Sequence, residues 1–133
     1  MILGAKLYTV IKHTQTTEDL AETLAKVADI GYKTVQISGT CAFEPAWMTE
    51  QLNKNGLTCA VTHTGGMDDN TQAVVEEHRV FGCSILGMGS MPGNLTNGFA
   101  DYIAFRERFV PAAKKVKEAG ALLAFHNHSR ELY

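Results

Sequence analysis

Four times along the chain a helical pattern of apolar positions ends at a glycine and passes at once into a short apolar run. The runs are Tyr32–Ser38 after Gly31, Leu57–His63 after Gly56, Cys83–Ser90 after Gly82, and Ala121–His128 after Gly120. A glycine there supplies the left-handed turn that closes a helix without a Cβ penalty. Each run has the length and composition of a buried parallel strand.

The intervening segments carry helical spacing. Leu20, Leu24, Val27 and Ile30 form one stripe and predict a helix over Thr17–Ile30, with Thr16 and Asp19 as a capping pair. A second helix is predicted over Pro45–Asn55, with Pro45 in its first turn. A third covers Asn70–Phe81, with Val74, His78 and Phe81 on one side. A fourth covers Phe99–Ala119, and Pro111 inside it predicts a bend or break near Phe109. Met91–Gly98 reads as a polar, turn-rich loop after a strand. With the opening run Ile2–Val10 added, five strands alternate with four helices. That alternation predicts parallel strands joined by right-handed crossovers in a single domain, residues 1–133.

Two folds share this order: a flavodoxin-like doubly wound sheet, complete near this length, and about half of a (β/α)₈ TIM barrel, which needs about 250 residues. Periodicity does not separate them. The doubly wound fold wants a helix after strand five, and here only five residues follow His128, which leans to the half-barrel.

Composition removes several function classes. The net charge is −2, with no run of like charges, so a nucleic-acid partner is not expected. No stretch is long and apolar enough to span a membrane, and the first residues turn polar too soon for a signal peptide. Cys41, Cys59 and Cys83 are odd in number and lack CxxC spacing. Reduced thiols in a cytoplasmic protein are expected, with Cys59 and Cys83 as small core residues.

In either fold, ligands meet the carboxyl ends of the strands. Those ends read Tyr8-Thr9, Gln36-Ile37-Ser38, Thr62-His63-Thr64, Gly89-Ser90-Met91 and His126-Asn127-His128. Side chains alternate along a strand, so His126 and His128 share a face. Two imidazoles there can ligate a transition metal or cap the strand end by hydrogen bonding. His63 is either a structural strand-end histidine or a third group converging on the same space. His13 and His78 read as surface or helix-packing residues. Gly87 and Gly89 mark close backbone approach in a strand, since no phosphate-loop spacing surrounds them. No nucleophile-elbow, Walker or Cys–His pattern is present.

Taken in order, Leu7–Val10, Gly31–Gly39, Thr62–Thr64, Gly87–Gly93 and Phe125–His128 resemble the strands of the sugar phosphate isomerase/epimerase family, the xylose-isomerase-like TIM barrels, over their N-terminal half. The resemblance implies a divalent metal (Mn, Co, Zn or Mg) beside a sugar or polyol, and proton transfer next to a carbonyl. It places His126 at a metal-ligand position and His63 at the pocket wall. It makes Glu131 a catalytic carboxylate with His63, and Tyr8, Gln36 and His128 substrate-binding groups. Gln36 stands where members often have glutamate, and an amide is neither a base nor an anionic ligand. The family's other metal ligands lie on strands six to eight, so a half-length chain alone is expected to be inactive. An open arc of strands is further expected to form a homo-oligomer through its edges. The competing expectations are a metal-dependent hydrolase resembling an AP endonuclease, and a non-catalytic half-barrel binding or structural module.

Overall fold

The computed structural model describes residues 2–65, 67, 69–92 and 98–128. Five strands, β1 (Gly4–Lys6), β2 (Thr34–Ile37), β3 (Thr58–His63), β4 (Ile85–Met88) and β5 (Leu122–Phe125), form one sheet. All pairings are parallel and the spatial order is the sequence order, β1 to β5. A doubly wound sheet reverses direction after its first strands; this one does not. The order is that of half a TIM barrel and removes the flavodoxin-like alternative.

Four helices, α1 (Thr17–Ile30), α2 (Pro45–Asn55), α3 (Thr71–Val80) and α4 (Phe99–Glu118), fill the crossovers. The sequence signals act as expected at their ends. The Asp19 amide donates to Thr16 Oγ1 at 3.1 Å, which satisfies one of the free N–H groups of α1. Gly31 closes α1 at φ 110°, a backbone conformation that penalises any Cβ, and a positive-φ glycine follows the end of each other helix.

Two expectations need correction. Strand one does not run from Ile2 to Val10. It ends at Lys6, and Leu7–His13 forms 3₁₀ turns interrupted at Val10. Leu7, fully buried, turns into the core, and the Thr9 hydroxyl donates to the Lys6 carbonyl at 2.7 Å, so the chain leaves the sheet early. Pro111 does not break α4, which is continuous from Phe99 to Glu118. Proline removes only the bond to the Glu107 carbonyl, and Phe109, Ala112 and Val116 are buried on either side of it. Packing of that face outweighs one lost bond.

The core lies on one face of the sheet. Leu20, Leu24, Val35, Ile37, Met48 and Leu52 belong to one buried cluster, and Met67, Val75, Leu86, Met88, Phe109 and Val116 to a second. Cys59 and Cys83 are small members of the first, as expected. His78, also buried, joins α3 to β3: its Nδ1–H donates to the Val74 carbonyl at 2.7 Å, so its Nε2 accepts from the Thr62 hydroxyl at 2.9 Å. By strand alternation the opposite, concave face carries Lys6, Thr34, Gln36, Thr58, His63, Ile85 and Leu122. It is a mixed polar and apolar surface.

A β-bulge in β3 decides which side chains reach that face. Val35 pairs with Cys59 but Gln36 pairs with Val61, so Ala60 is an extra residue. Unbroken alternation from Cys59, which packs into the core, would send His63 among the helices. The bulge reverses the phase, so that Thr62 meets α3 and His63 faces the open side.

β4 carries the complementary feature. A Cβ at Gly87 would lie 2.3 Å from the Thr62 carbonyl oxygen, and one at Gly89 would lie 2.9 Å from His63 Nδ1. Gly87→Ala is therefore expected to destabilise the chain by about 1–3 kcal/mol, because the obstacle is a neighbouring strand's backbone. Urea denaturation reads this directly, and an unchanged midpoint would refute the close approach.

Candidate functional site

The carboxyl ends of the strands bring four of the candidate residues together on the concave face. Gln36 projects from β2 and His63 from β3, and Gln36 Nε2 donates to His63 Nε2 at 2.7 Å. His63 is therefore neutral, with its proton on Nδ1. Its ring extends across β4, where Gly87 and Gly89 present no side chain to block it. On the far side it meets His126, just past β5, with ring centroids 5.3 Å apart. His126 is held there by its amide, which donates to the Met88 carbonyl at 2.9 Å, and by Phe125, whose ring packs on Phe105 of α4 and so turns the next residue to the concave side. His128 shares the face, its ring edge-on to His126 at 4.8 Å. His126 and His128 thus adjoin each other as their spacing requires, and His63 converges on both.

Tyr8 sits apart from this cluster. It is 55% exposed in the 3₁₀ segment, with its ring over Gly39, the residue after Ser38 at the end of β2. Glu131 lies outside the described residues.

Lys6 is a site residue the sequence reading passed over. Ala5 packs with the core and Leu7 is fully buried, so Lys6 between them projects from the concave side. Its register partner is Gln36, and its Nζ lies 5.8 Å from the centre of the Tyr8 ring. The alternation Ala5-Lys6-Leu7 was the available signal. A strand that ran on to Val10 would put Tyr8 at its carboxyl end instead.

The electrostatics follow from this company. Burial lowers the pKa of His63 from its ordinary 6.5, and the positive charges available to His126, Lys6 and His128 lower it further. His78 is also lowered, chiefly by burial, against the opposing effects of its Val74 hydrogen bond and Glu77. Beside His63 a cavity of about 470 Å³ opens at the ends of β3 and β4, bordered by Thr64, Ser90, Asp69 and Arg108.

This donor set does not fit a divalent metal. Among the described residues no three His, Cys, Asp or Glu side chains are grouped so that they could hold an ion. His63 Nε2 is occupied by Gln36, and among the described residues no carboxylate joins the imidazoles where a hard cation would want oxygen. No catalytic step through a metal is derived from these residues.

No protein-family model matches the chain, and no curated protein matches it. Solved structures do. An AP endonuclease of family 2 from Brucella melitensis superposes with a TM-score of 0.71 at 19% identity, covering 94% of this chain and 55% of that one. A sugar phosphate isomerase/epimerase from Parabacteroides distasonis gives 0.68 at 20% identity, covering 95% and 54%. An L-ribulose 3-epimerase gives 0.64 at 14% identity, covering 92% and 48%. The chain has the fold of the N-terminal half of a xylose-isomerase-like TIM barrel, and it spans about half the length of these structures. At these identities the likeness concerns the fold.

An NMR titration of the imidazoles tests the site's electrostatics. His63 is expected to titrate below 6.5 as the Nδ1–H tautomer, and Lys6→Met is expected to raise that value by removing a positive neighbour. Both His63 and His78 have folded pKa values below the unfolded 6.5. The stability they contribute is complete above about pH 6.5 and is lost as pH falls through the folded values. Thermal melts that do not change between pH 7 and pH 5 would contradict this.

Proposed function

We propose that the concave face binds a sugar or polyol at the carboxyl ends of the strands, and that the protein serves an isomerase or epimerase reaction moving a proton beside a carbonyl. The observation that carries this reading is the His63–His126 convergence over the glycines of β4. It sits at the end of a parallel sheet where ligands of this fold are met. The names of two structural neighbours, a sugar phosphate isomerase/epimerase and an L-ribulose 3-epimerase, support the substrate class.

In this reading His63 is the proton acceptor. It is neutral, its basicity is set by burial, and Gln36 holds its ring. A substrate hydroxyl or carbon acid that displaces the Gln36 amide reaches Nε2 directly. His126 and His128 hydrogen-bond substrate oxygens, Tyr8 closes the rim at β2, and Glu131 is the second proton-transfer group. Three free thiols support a cytoplasmic setting.

The pocket of such an enzyme needs walls that five strands do not provide. Both edge strands carry exposed apolar residues, Ile2 and Leu3 leading into β1, and Leu122 and Phe125 on β5. A second copy of the chain covering these edges supplies the missing wall. Sedimentation velocity at micromolar concentration is expected to show a dimer or larger species, and a monomer alone would end that part of the proposal.

Incorporation of solvent deuterium into candidate aldoses and ketoses tests the reaction. Exchange that falls at least about 100-fold in His63→Ala is expected, in keeping with the usual size of a general-base contribution. Saturable sugar binding without any exchange would instead favour a non-catalytic binding module. That second reading draws on the absence of a metal-ligand group among the described residues.

A further inference from the structure

Two buried thiols at the amino ends of β3 and β4 play no part in the chemistry of the concave face. Cys59 lies on β3, and Cys83 stands just before β4. They are 24 positions apart (83 − 59), the same offset that pairs Thr62 with Leu86 and His63 with Gly87. Counting back along both strands brings Cys83 abreast of Cys59, within the one-residue shift of the bulge at Ala60. Neighbouring strands run about 4.8 Å apart, inside the Cα separation that a disulfide spans. Both side chains belong to one buried cluster, and their thiols are hydrogen-bonded to each other. Backbone carbonyls hold each sulfur in place: Cys59 Sγ lies 3.6 Å from the Val61 oxygen, and Cys83 Sγ lies 3.3 Å from that of Ile85. The two sulfurs are not equivalent. A cavity of about 230 Å³ lies between α3, the entry to β4 and the turn from α4 to β5, and Cys83 lines it with Val75, Arg79, Ser84 and Ala121. That space admits a molecule the size of hydrogen peroxide. The hydrogen bond from the Cys59 thiol lowers the pKa of Cys83 from its ordinary 9.0, and the same bond, with burial, raises that of Cys59. The sulfur at the cavity is thus the readier thiolate, and its neighbour keeps the proton.

We propose that Cys83 and Cys59 are a peroxide-responsive thiol pair, in which Cys83 is oxidised from the cavity and Cys59 closes a disulfide that ties β3 to β4. The Cys83 thiolate attacks one oxygen of hydrogen peroxide and the O–O bond breaks. Cys83 becomes a sulfenic acid, and the departing hydroxide takes up the proton that Cys83 had released, leaving as water. The Cys59 sulfur then attacks the Cys83 sulfur, the S–O bond breaks, and a second water leaves with the Cys59 proton. In sum two thiols and one peroxide give one disulfide and two waters; the sulfurs lose two electrons and the peroxide oxygens gain them. The bridge encloses α3, which runs between the two cysteines in sequence. It forms at the opposite end of the strands from His63, so the proposal stands apart from the sugar site. Cys41 is the more exposed of the three thiols, and burial raises its pKa. It serves as an internal reference, because exposure alone would make it the first to react.

Peptide mapping by mass spectrometry tests it, with the folded full chain exposed to hydrogen peroxide, freed of peroxide and alkylated in denaturant without reductant. The expected product is a Cys59–Cys83 bridge within one chain, two hydrogens lighter, with Cys41 still alkylated. Dithiothreitol is expected to restore all three thiols. Cys59→Ala is expected to stop the reaction at a sulfenic acid on Cys83 that dimedone traps. Cys83→Ala is expected to slow oxidation of Cys59 at least about tenfold, because the readier thiolate is gone. Cys41→Ser is expected to leave the bridge unchanged. Three results overturn the proposal: Cys41 oxidised or bridged while Cys59 or Cys83 stays reduced, a bridge that forms only when peroxide meets the unfolded chain, or no bridge at all. If either alanine variant fails to fold, the map of the unaltered chain and that of Cys41→Ser still decide it.

Discussion

Every described helix lies on the same face of the sheet, and the rest of the structure depends on that constraint. Right-handed crossovers that always add the next strand on the same side must carry each helix over the same face. The strand order β1 to β5 never reverses, so none of the described helices reaches the concave side. Both core clusters form between sheet and helices. The concave side is left for side chains that need not pack tightly, and polar groups occupy it without the desolvation cost they would meet in the core.

Within that frame two backbone features set the chemistry. The bulge at Ala60 shifts the phase of β3 and turns His63 from the helix side to the open side. The paired glycines of β4 then clear a path for its ring toward His126. Either feature alone would fail: without the bulge His63 would be buried among helices, and with side chains at positions 87 and 89 it could not approach β5. The Gln36 amide completes the arrangement by selecting the His63 tautomer.

The likeness to solved structures is one of fold. The strands superpose on isomerase, epimerase and endonuclease barrels alike, at identities of 14–20%. What those barrels share is the backbone. What this face offers, among the described residues, is a lysine, an amide and three imidazoles.

The helix boundaries were legible in the sequence because they are set locally. Thr16 caps α1 through a bond three residues away, Pro45 starts α2, and the glycines after the helices stop them by backbone conformation. The polar strand ends were legible for the same reason, as was the adjacency of His126 and His128 two residues apart. The length of β1 and the continuity of α4 were not, because Leu7 and Phe109 respond to packing against distant elements. Strand order, the phase of β3 and the side of the sheet that His63 occupies belong wholly to the tertiary structure. They arise from pairing between strands about 25 residues apart in sequence, a range over which neither hydrophobic period nor local propensity carries information.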